Sequence, residues 1–204
     1  AMPLTTDVVQ HWAVWLKGAL ARAMGTLLRR RPPKLAGGPP EGAAQIESLR
    51  IGAVASAVEL TARVLRVNPG DRAEQFASDI TADSREMFVA KANGQVIAYG
   101  RVAGLAADEA APGTPAGCYL SGVLVEPAWR APGIATALTR GRLCWAFART
   151  DEAFYVTGAD NTASLHLHAT LGFQEMKRFG SDRSAAGIDV LSRLAGRGSR
   201  WRAT

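Results

Sequence analysis

The chain has little of what defines several protein classes. Its 204 residues include two cysteines, Cys118 and Cys144, too few for a disulfide framework. It has no run of eighteen apolar residues, which argues against a transmembrane helix. The N-terminal stretch lacks the basic start, apolar core and cleavage site of a secretory signal. These absences predict a protein of the reducing cytoplasm.

Acidic residues are scarce at both ends of the chain. Residues 1–34 hold six basic residues and one acidic residue, and residues 193–204 hold four basic residues and none that is acidic. The segment between them, 35–192, has 14 basic and 17 acidic residues. A nucleic-acid reader carries its positive charge on the folded face, so this distribution predicts no nucleic-acid partner.

The pattern predicts three regions: a helix and linker over 1–45, a catalytic domain over 46–192 and a basic tail over 193–204. Apolar residues at helical spacing predict an amphipathic helix over 7–31, and the Pro- and Gly-rich stretch 32–45 predicts a linker. The exposed apolar stripe of that helix is an association site. Its partner could be its own domain, a second subunit or an anionic membrane. We favour protein, and a homo-oligomer contact over an intrachain one.

A strand followed by a turn and a helix start marks a ligand site. The run 118–125 has strand character, and Gly133 precedes a helical pattern to about residue 149. First-turn N–H groups of a helix have no intrahelical partner, and the helix dipole adds positive charge there. Gly133 lets a ligand approach the backbone, Ala135 adds little bulk, and Arg130 offers a charged bond to phosphate.

Two motifs resemble the acetyl-coenzyme A signature of the GNAT family of N-acetyltransferases. The first is Arg130-Ala131-Pro132-Gly133-Ile134-Ala135, and the second combines Asn161-Thr162-Ala163-Ser164 with Leu171-Gly172-Phe173. The resemblance implies an α/β GNAT fold, with a mixed and mostly antiparallel sheet flanked by helices. It also implies acetyl-CoA as cosubstrate and no metal.

The resemblance also implies which residues bind the cosubstrate. A strand that splays from its neighbour would offer backbone groups of Val123, Leu124 and Val125 to the pantetheine arm and the thioester. The pyrophosphate would lie against Arg130, Ala131, Pro132, Gly133, Ile134, Ala135 and Thr136, although Pro132 has no N–H to donate. Asn161 and Ser164 would contact the pantetheine arm, and Asn161 is equally suited to cap the following helix.

Two residues are candidates for the proton transfers. His168 lies where many family members have a Tyr that protonates the thiolate of coenzyme A, and a His can act as general acid near neutral pH. A structural role on the helix face is the alternative. For the general base we select Glu126 over Asp160, Asp108 and Glu109.

The implied reaction is transfer of an acetyl group to a primary amine by direct attack in a ternary complex. The sequence is most similar to the aminoglycoside N-acetyltransferases, which suggests a role in antibiotic resistance, but Ser121 replaces their acidic residue in Tyr119-Leu120-Ser121-Gly122. We therefore expect a small-molecule amine in general. The alternatives are a protein or peptide N-acetyltransferase and a non-catalytic module that binds coenzyme A.

Overall fold

A computed structural model describes residues 45–48, 54–66, 69–110, 113–130, 133–181 and 185–196. The predicted N-terminal helix and most of the basic tail lie outside these ranges, so their partners stay predictions. Within the described ranges, no helix is both long and apolar enough to cross a lipid bilayer.

The described residues form one seven-stranded mixed sheet with helices on both faces. The strands are β1 Gln45–Ser48, β2 Arg85–Ala92, β3 Gln95–Leu105, β4 Gly117–Val125, β5 Glu152–Gly158, β6 Gln174–Gly180 and β7 Ile188–Ala195. The helices are α1 Val54–Leu65, α2 Pro69–Thr81, α3 Ile134–Phe147 and α4 Thr162–Thr170, with a 3₁₀ turn at Pro127–Trp129. This architecture is the predicted GNAT fold class.

The strand order is β1-β2-β3-β4-β5-β7-β6. Every neighbouring pair is antiparallel except β4 with β5, which run parallel. The two-residue turn Asn93-Gly94 joins β2 to β3, and both residues have positive φ, as the hairpin prediction requires. The sheet therefore consists of two antiparallel blocks, β1–β4 and β5–β7, that meet at one parallel pair.

A hydrophobic core covers each face of the sheet. On one face, α1 and α2 pack over Met87, Tyr99 and Leu124. On the other face, α3 and α4 pack over Leu120, Tyr155 and their neighbours. We call these the α1/α2 face and the α3/α4 face.

The last strand is longer than the sequence pattern predicts. We expected a strand over about 188–191 and a tail from 193, whereas β7 continues to Ala195. Leu194 is buried in the core of the α3/α4 face, and Arg193 forms an ion pair with Glu152 on β5 (3.0 Å). These two contacts extend the strand beyond the predicted boundary.

Candidate active site

The parallel strands β4 and β5 separate halfway along their length. They pair at only three positions, and the last pair is Leu120 with Tyr155. β4 continues along β3 to Val125, while β5 continues along β7 to Gly158. A V-shaped gap therefore opens between the two strands beyond Leu120 and Tyr155. The family resemblance in the sequence implied this separation of the two strands.

A β-bulge in β4 lies just beyond the point where the strands part. The β3–β4 register shifts between Gly100 and Arg101, which pair with Val123 and Ser121, so Gly122 is the extra residue on β4. Gly122 has φ +50°, the left-handed region that glycine adopts most readily. Because a bulge bends its strand, this residue helps to turn β4 away from β5.

Backbone groups of β4 point into the gap in alternation. The N–H of Glu126 donates to the carbonyl of Ile97 on β3 (2.9 Å). The alternation of an antiparallel strand then turns the backbone of Leu124 toward β3 and that of Val123 and Val125 toward the gap. The backbone of Val123 and Val125 therefore faces the gap, whereas the backbone of Leu124 faces β3 and its side chain is buried on the α1/α2 face.

The N-terminus of α3 is open to an anion. Gly133 is its N-cap with φ +82°, no side chain caps the helix, and its first turn has no acidic residue. The first helical bond runs from the N–H of Ala137 to the carbonyl of Gly133 (2.8 Å). The N–H groups of Ile134, Ala135 and Thr136 therefore precede the hydrogen-bonded part of the helix. Ala131 and Pro132 lie outside the described residues.

Arg130 lies at the surface beside the end of β4. It is exposed, and its Nε donates to the carbonyl of Val125 (3.2 Å). Just before it, Trp129 is buried with Ile134 on the α3/α4 face. This packing anchors the 3₁₀ turn against α3, while the Arg130 side chain lies at the surface and is bonded to the end of β4.

Asn161 caps α4. Its side-chain oxygen accepts a hydrogen bond from the N–H of Ser164 (3.2 Å), the standard N-cap arrangement. Both residues lie near the carboxyl end of β5, at the wide end of the gap. The capping role foreseen for Asn161 is therefore present, and its amide NH₂ remains available for a ligand contact.

His168 is buried beneath β5, with only 4% of its surface exposed. Its ring stacks on Tyr155 at 3.7 Å and meets Phe173 edge to face. Nδ1 lies 2.8 Å from the carbonyl of Ser164, so it carries the proton and donates, while Nε2 is buried with no hydrogen-bond partner among the described residues. Burial, as the largest effect, lowers the pKa of His168 to about 4. The residue is therefore neutral at pH 7, with its lone pair on Nε2.

The carboxylate selected as base follows β4 directly. Glu126 is buried and forms an ion pair with Arg63 of α1 (2.8 Å), which ties α1 to the end of β4. By contrast, Asp108 and Glu109 lie in the β3–β4 loop, where Glu109 binds Arg85 (3.3 Å). The structure thus places Glu126 at the mouth of the gap and leaves the loop carboxylates away from it.

A polar pocket of about 440 Å³ adjoins the unpaired half of β5. Val156, Thr157 and Gly158 line it, together with Ala185 and the polar side chains of Asp160, Asn161 and Asp189. Sequence reasoning considered Asp160 but missed Asp189, a carboxylate that is 3% exposed. An acidic residue within the apolar run of a predicted strand was the one available signal.

Comparison with known proteins agrees with this geometry. The acetyltransferase (GNAT) family model matches residues 58–173, while none of the curated proteins compared matches the sequence significantly. The acetyltransferase of the GNAT family from Streptococcus pneumoniae is 15% identical, with a TM-score of 0.61 over 76% of this chain and 100% of that one.

Two further solved structures show the same fold. The ribosomal-protein-S18-alanine N-acetyltransferase from Escherichia coli is 18% identical, with a TM-score of 0.60 over 79% of this chain and 100% of that chain. Arabidopsis thaliana NAA60 in complex with acetyl-CoA is 13% identical, with a TM-score of 0.61 over 75% and 98%. The family match extends over more than half of the chain, which therefore belongs to the acetyltransferase (GNAT) family.

Proposed function

We propose that this protein transfers the acetyl group of acetyl-CoA to a primary amine of a small cationic molecule by direct attack. The observation that carries the proposal is the gap between β4 and β5, with an uncapped helix N-terminus at one end. An extended arm with a terminal pyrophosphate matches that arrangement, because the gap supplies backbone hydrogen bonds and the helix supplies N–H groups.

The reaction needs one bond made and one broken. The amine lone pair attacks the thioester carbonyl carbon, the C–N bond forms, and the C–S bond breaks to release the coenzyme A thiolate. In this proposal, the backbone N–H groups of Val123 and Val125 stabilise the negative charge on the carbonyl oxygen. The amine loses one proton, and the thiolate gains one.

Glu126 is our proposed base, acting through water. Its ion pair with Arg63 (2.8 Å) holds the side chain in place at the mouth of the gap. Glu126→Gln should lower kcat/KM by roughly 10²-fold and remove the acidic limb of the pH profile. Asp160→Asn is the matched comparison. If Asp160→Asn removes that limb instead, the base is Asp160.

The donor role predicted for His168 stays a prediction, and its surroundings argue against it. Nδ1 donates to the Ser164 carbonyl, and a pKa of about 4 leaves the ring neutral at pH 7. We propose that the ring instead supports Tyr155, the last paired residue of β5. His168→Phe keeps the ring, so kcat should stay within about tenfold; a loss of roughly 10²-fold would restore the donor role.

The pocket beside β5 is our candidate acceptor site. Its volume of about 440 Å³ lies in the range of small-molecule sites, and Asp160 and Asp189 give it negative charge. An ammonium group is attracted by such a lining, whereas an anionic acceptor is repelled. Because Ser121 stands in place of an acidic residue, aminoglycosides are one member of the test panel rather than the expected substrate.

A protein N-terminus is the second candidate acceptor. Asp160 and Asn161 are exposed at the pocket rim, so a flexible peptide end could reach it. The Escherichia coli protein with the same fold is named for acetylation of a ribosomal-protein alanine. At 18% identity this likeness extends to the fold alone, so the two acceptor classes have to be separated by experiment.

An acceptor panel monitored by thiol release tests the proposal. Small diamines, aminoglycosides, neutral amines and peptides with free N-termini are compared at equal concentration. We expect small cationic amines to give the highest kcat/KM. Asp189→Asn should reduce that preference, and Asp108→Asn in the β3–β4 loop is the matched control. Activity confined to peptides would favour the second candidate, and release without any acceptor would reject transfer.

A further inference from the structure

The α3/α4 face contains a buried arginine that has no role in the reaction proposed above. Arg142 of α3 is 1% exposed, and no carboxylate in the described part of the chain forms an ion pair with it. Burial lowers the pKa of Arg142 to about 9, so it is still charged at neutral pH. On the opposite face, Arg101 is paired with the buried carboxylate of Asp79. A charge buried without a counter-ion costs stability, which calls for a functional reason.

The guanidinium is hydrogen-bonded to the strand at the bulge and, through Thr139, to the first turn of the helix. Nη1 donates to the carbonyl of Arg101 (3.2 Å), at the point where the β3–β4 register shifts. Nη2 donates to Oγ1 of Thr139 (2.7 Å), and that hydroxyl donates to the carbonyl of Ala135 (2.7 Å). Hydrogen bonds thus run without a break from the β3 side of the bulge to the start of α3.

The strand makes room for this side chain. A Cβ on Gly100 would lie 3.0 Å from Nε and 3.3 Å from Cζ of Arg142, so the guanidinium lies directly against the Gly100 backbone. Gly100 pairs with Val123, whose backbone faces the gap. Arg142 therefore packs beneath the strand pair from which the gap opens.

We propose that Arg142 is a positioning residue that fixes the first turn of α3 relative to the bulge at Gly122. This inference rests on the proposed function, in which the helix start holds the pyrophosphate and the gap holds the thioester. Arg142 sets the spacing between these two points. The binding energy of the nucleotide end is then used to hold the thioester in register for attack.

The test compares a full and a truncated acetyl donor, acetyl-CoA and acetyl-pantetheine. Arg142→Met keeps the volume and removes the fork of donors. We expect it to lower the kcat/KM ratio of acetyl-CoA to acetyl-pantetheine by about tenfold or more. Arg142→Lys should restore little of the ratio, because one ammonium cannot reproduce the planar fork. A folded Arg142→Met protein with the wild-type ratio would overturn the proposal.

Two further variants separate positioning from folding. Gly100→Ala presses on the guanidinium without changing it and should lower the ratio in the same direction. Arg149→Met is the control, because Arg149 is an exposed residue just after α3; its ratio should equal that of the wild type. An equal loss in Arg149→Met would also reject a specific role for Arg142.

A binding measurement keeps the inference independent of turnover. By calorimetry, Arg142→Met should weaken the binding of coenzyme A by about tenfold and that of 3′-phospho-ADP, which keeps the pyrophosphate, by less than about threefold. The nucleotide fragment needs only the helix start, whereas coenzyme A needs both ends. If the wild type binds coenzyme A but transfers no acetyl group, the proposed function fails while this comparison still decides the role of Arg142. Equal weakening of both ligands would refute that role.

Discussion

At the residue scale, two glycines with positive backbone φ lie at the two ends of the proposed coenzyme site. Gly122 and Gly133 both have positive φ, the first at the bulge of β4 and the second at the N-cap of α3. A Cβ on Gly133 would meet no atom of the described residues within 4 Å, so among those residues the requirement for glycine is one of backbone conformation. In the proposed complex, the steric requirement for glycine comes from the pyrophosphate.

Gly133→Val tests that point. We expect acetyl-CoA to bind at least about tenfold more weakly by calorimetry, or roughly 1.4 kcal/mol, because a branched side chain enters the anion site and disfavours the N-cap φ. Gly94→Val is the matched control, with φ +76° and nothing within 4 Å. Equal affinities in both folded variants would remove the pyrophosphate from this helix start.

The buried His168 makes stability depend on pH. Its pKa falls from 6.5 to about 4 on folding, so the unfolded chain binds more protons between these values. The contribution of the neutral His168 to the free energy of unfolding is fully present above about pH 6.5 and is lost as the pH falls toward 4. Its loss amounts to about 3 kcal/mol. His168→Phe should flatten this part of the profile in urea unfolding at pH 7.5 and 5. Parallel profiles for variant and wild type would contradict the buried neutral state.

Local interactions at this scale were predictable and long-range ones were not. The N-cap role of Asn161 follows from its position before a helical pattern, and the structure has it. The burial of His168 under Tyr155 depends on how α4 packs against β5, which no nearby residue encodes. For the same reason, spacing along the chain did not find Asp189 in the pocket.

At the element scale, the strand and helix pattern from 46 to 192 carried most of the fold. Alternation and turn residues located β2, β3 and the hairpin between them, and the coenzyme motif located β4 and α3. The splay came only from the family resemblance, because the end of a parallel ladder leaves no mark in the composition of either strand. The Gly122 bulge and the bond from Arg142 were not predicted.

Asn161 allows the cap of α4 to be separated from ligand binding. Asn161→Ala should lower the free energy of unfolding by about 1 kcal/mol, because the Ser164 N–H loses its acceptor. Asn161→Ser restores the cap but lacks the amide NH₂. Denaturant unfolding and coenzyme A calorimetry on both variants distinguish the roles. Wild-type coenzyme affinity in the Ser variant would leave Asn161 as a cap alone.

At the scale of the whole molecule, the basic, apolar N-terminal segment is predicted to be an association site. Deleting residues 1–34 removes the predicted apolar stripe and should change the oligomeric state or promote aggregation. Light scattering checks the mass before and after deletion, and an unchanged, well-behaved mass would defeat the idea. Co-sedimentation with anionic vesicles, lost on deletion, would instead place the segment on a membrane.

The three residue pairs between β4 and β5 are also the mechanical connection between the two halves of the sheet. Two antiparallel blocks meet there, and little else in the sheet joins them. When the two strands are forced apart at the open end of the gap, the strain falls first on the last residue pair, Leu120 and Tyr155. A ligand that forms hydrogen bonds to both β4 and β5 in the gap adds a further connection between the two blocks. Amide hydrogen exchange in β4 and β5 should therefore slow together when coenzyme A binds, because the two blocks then unfold locally as one cooperative unit.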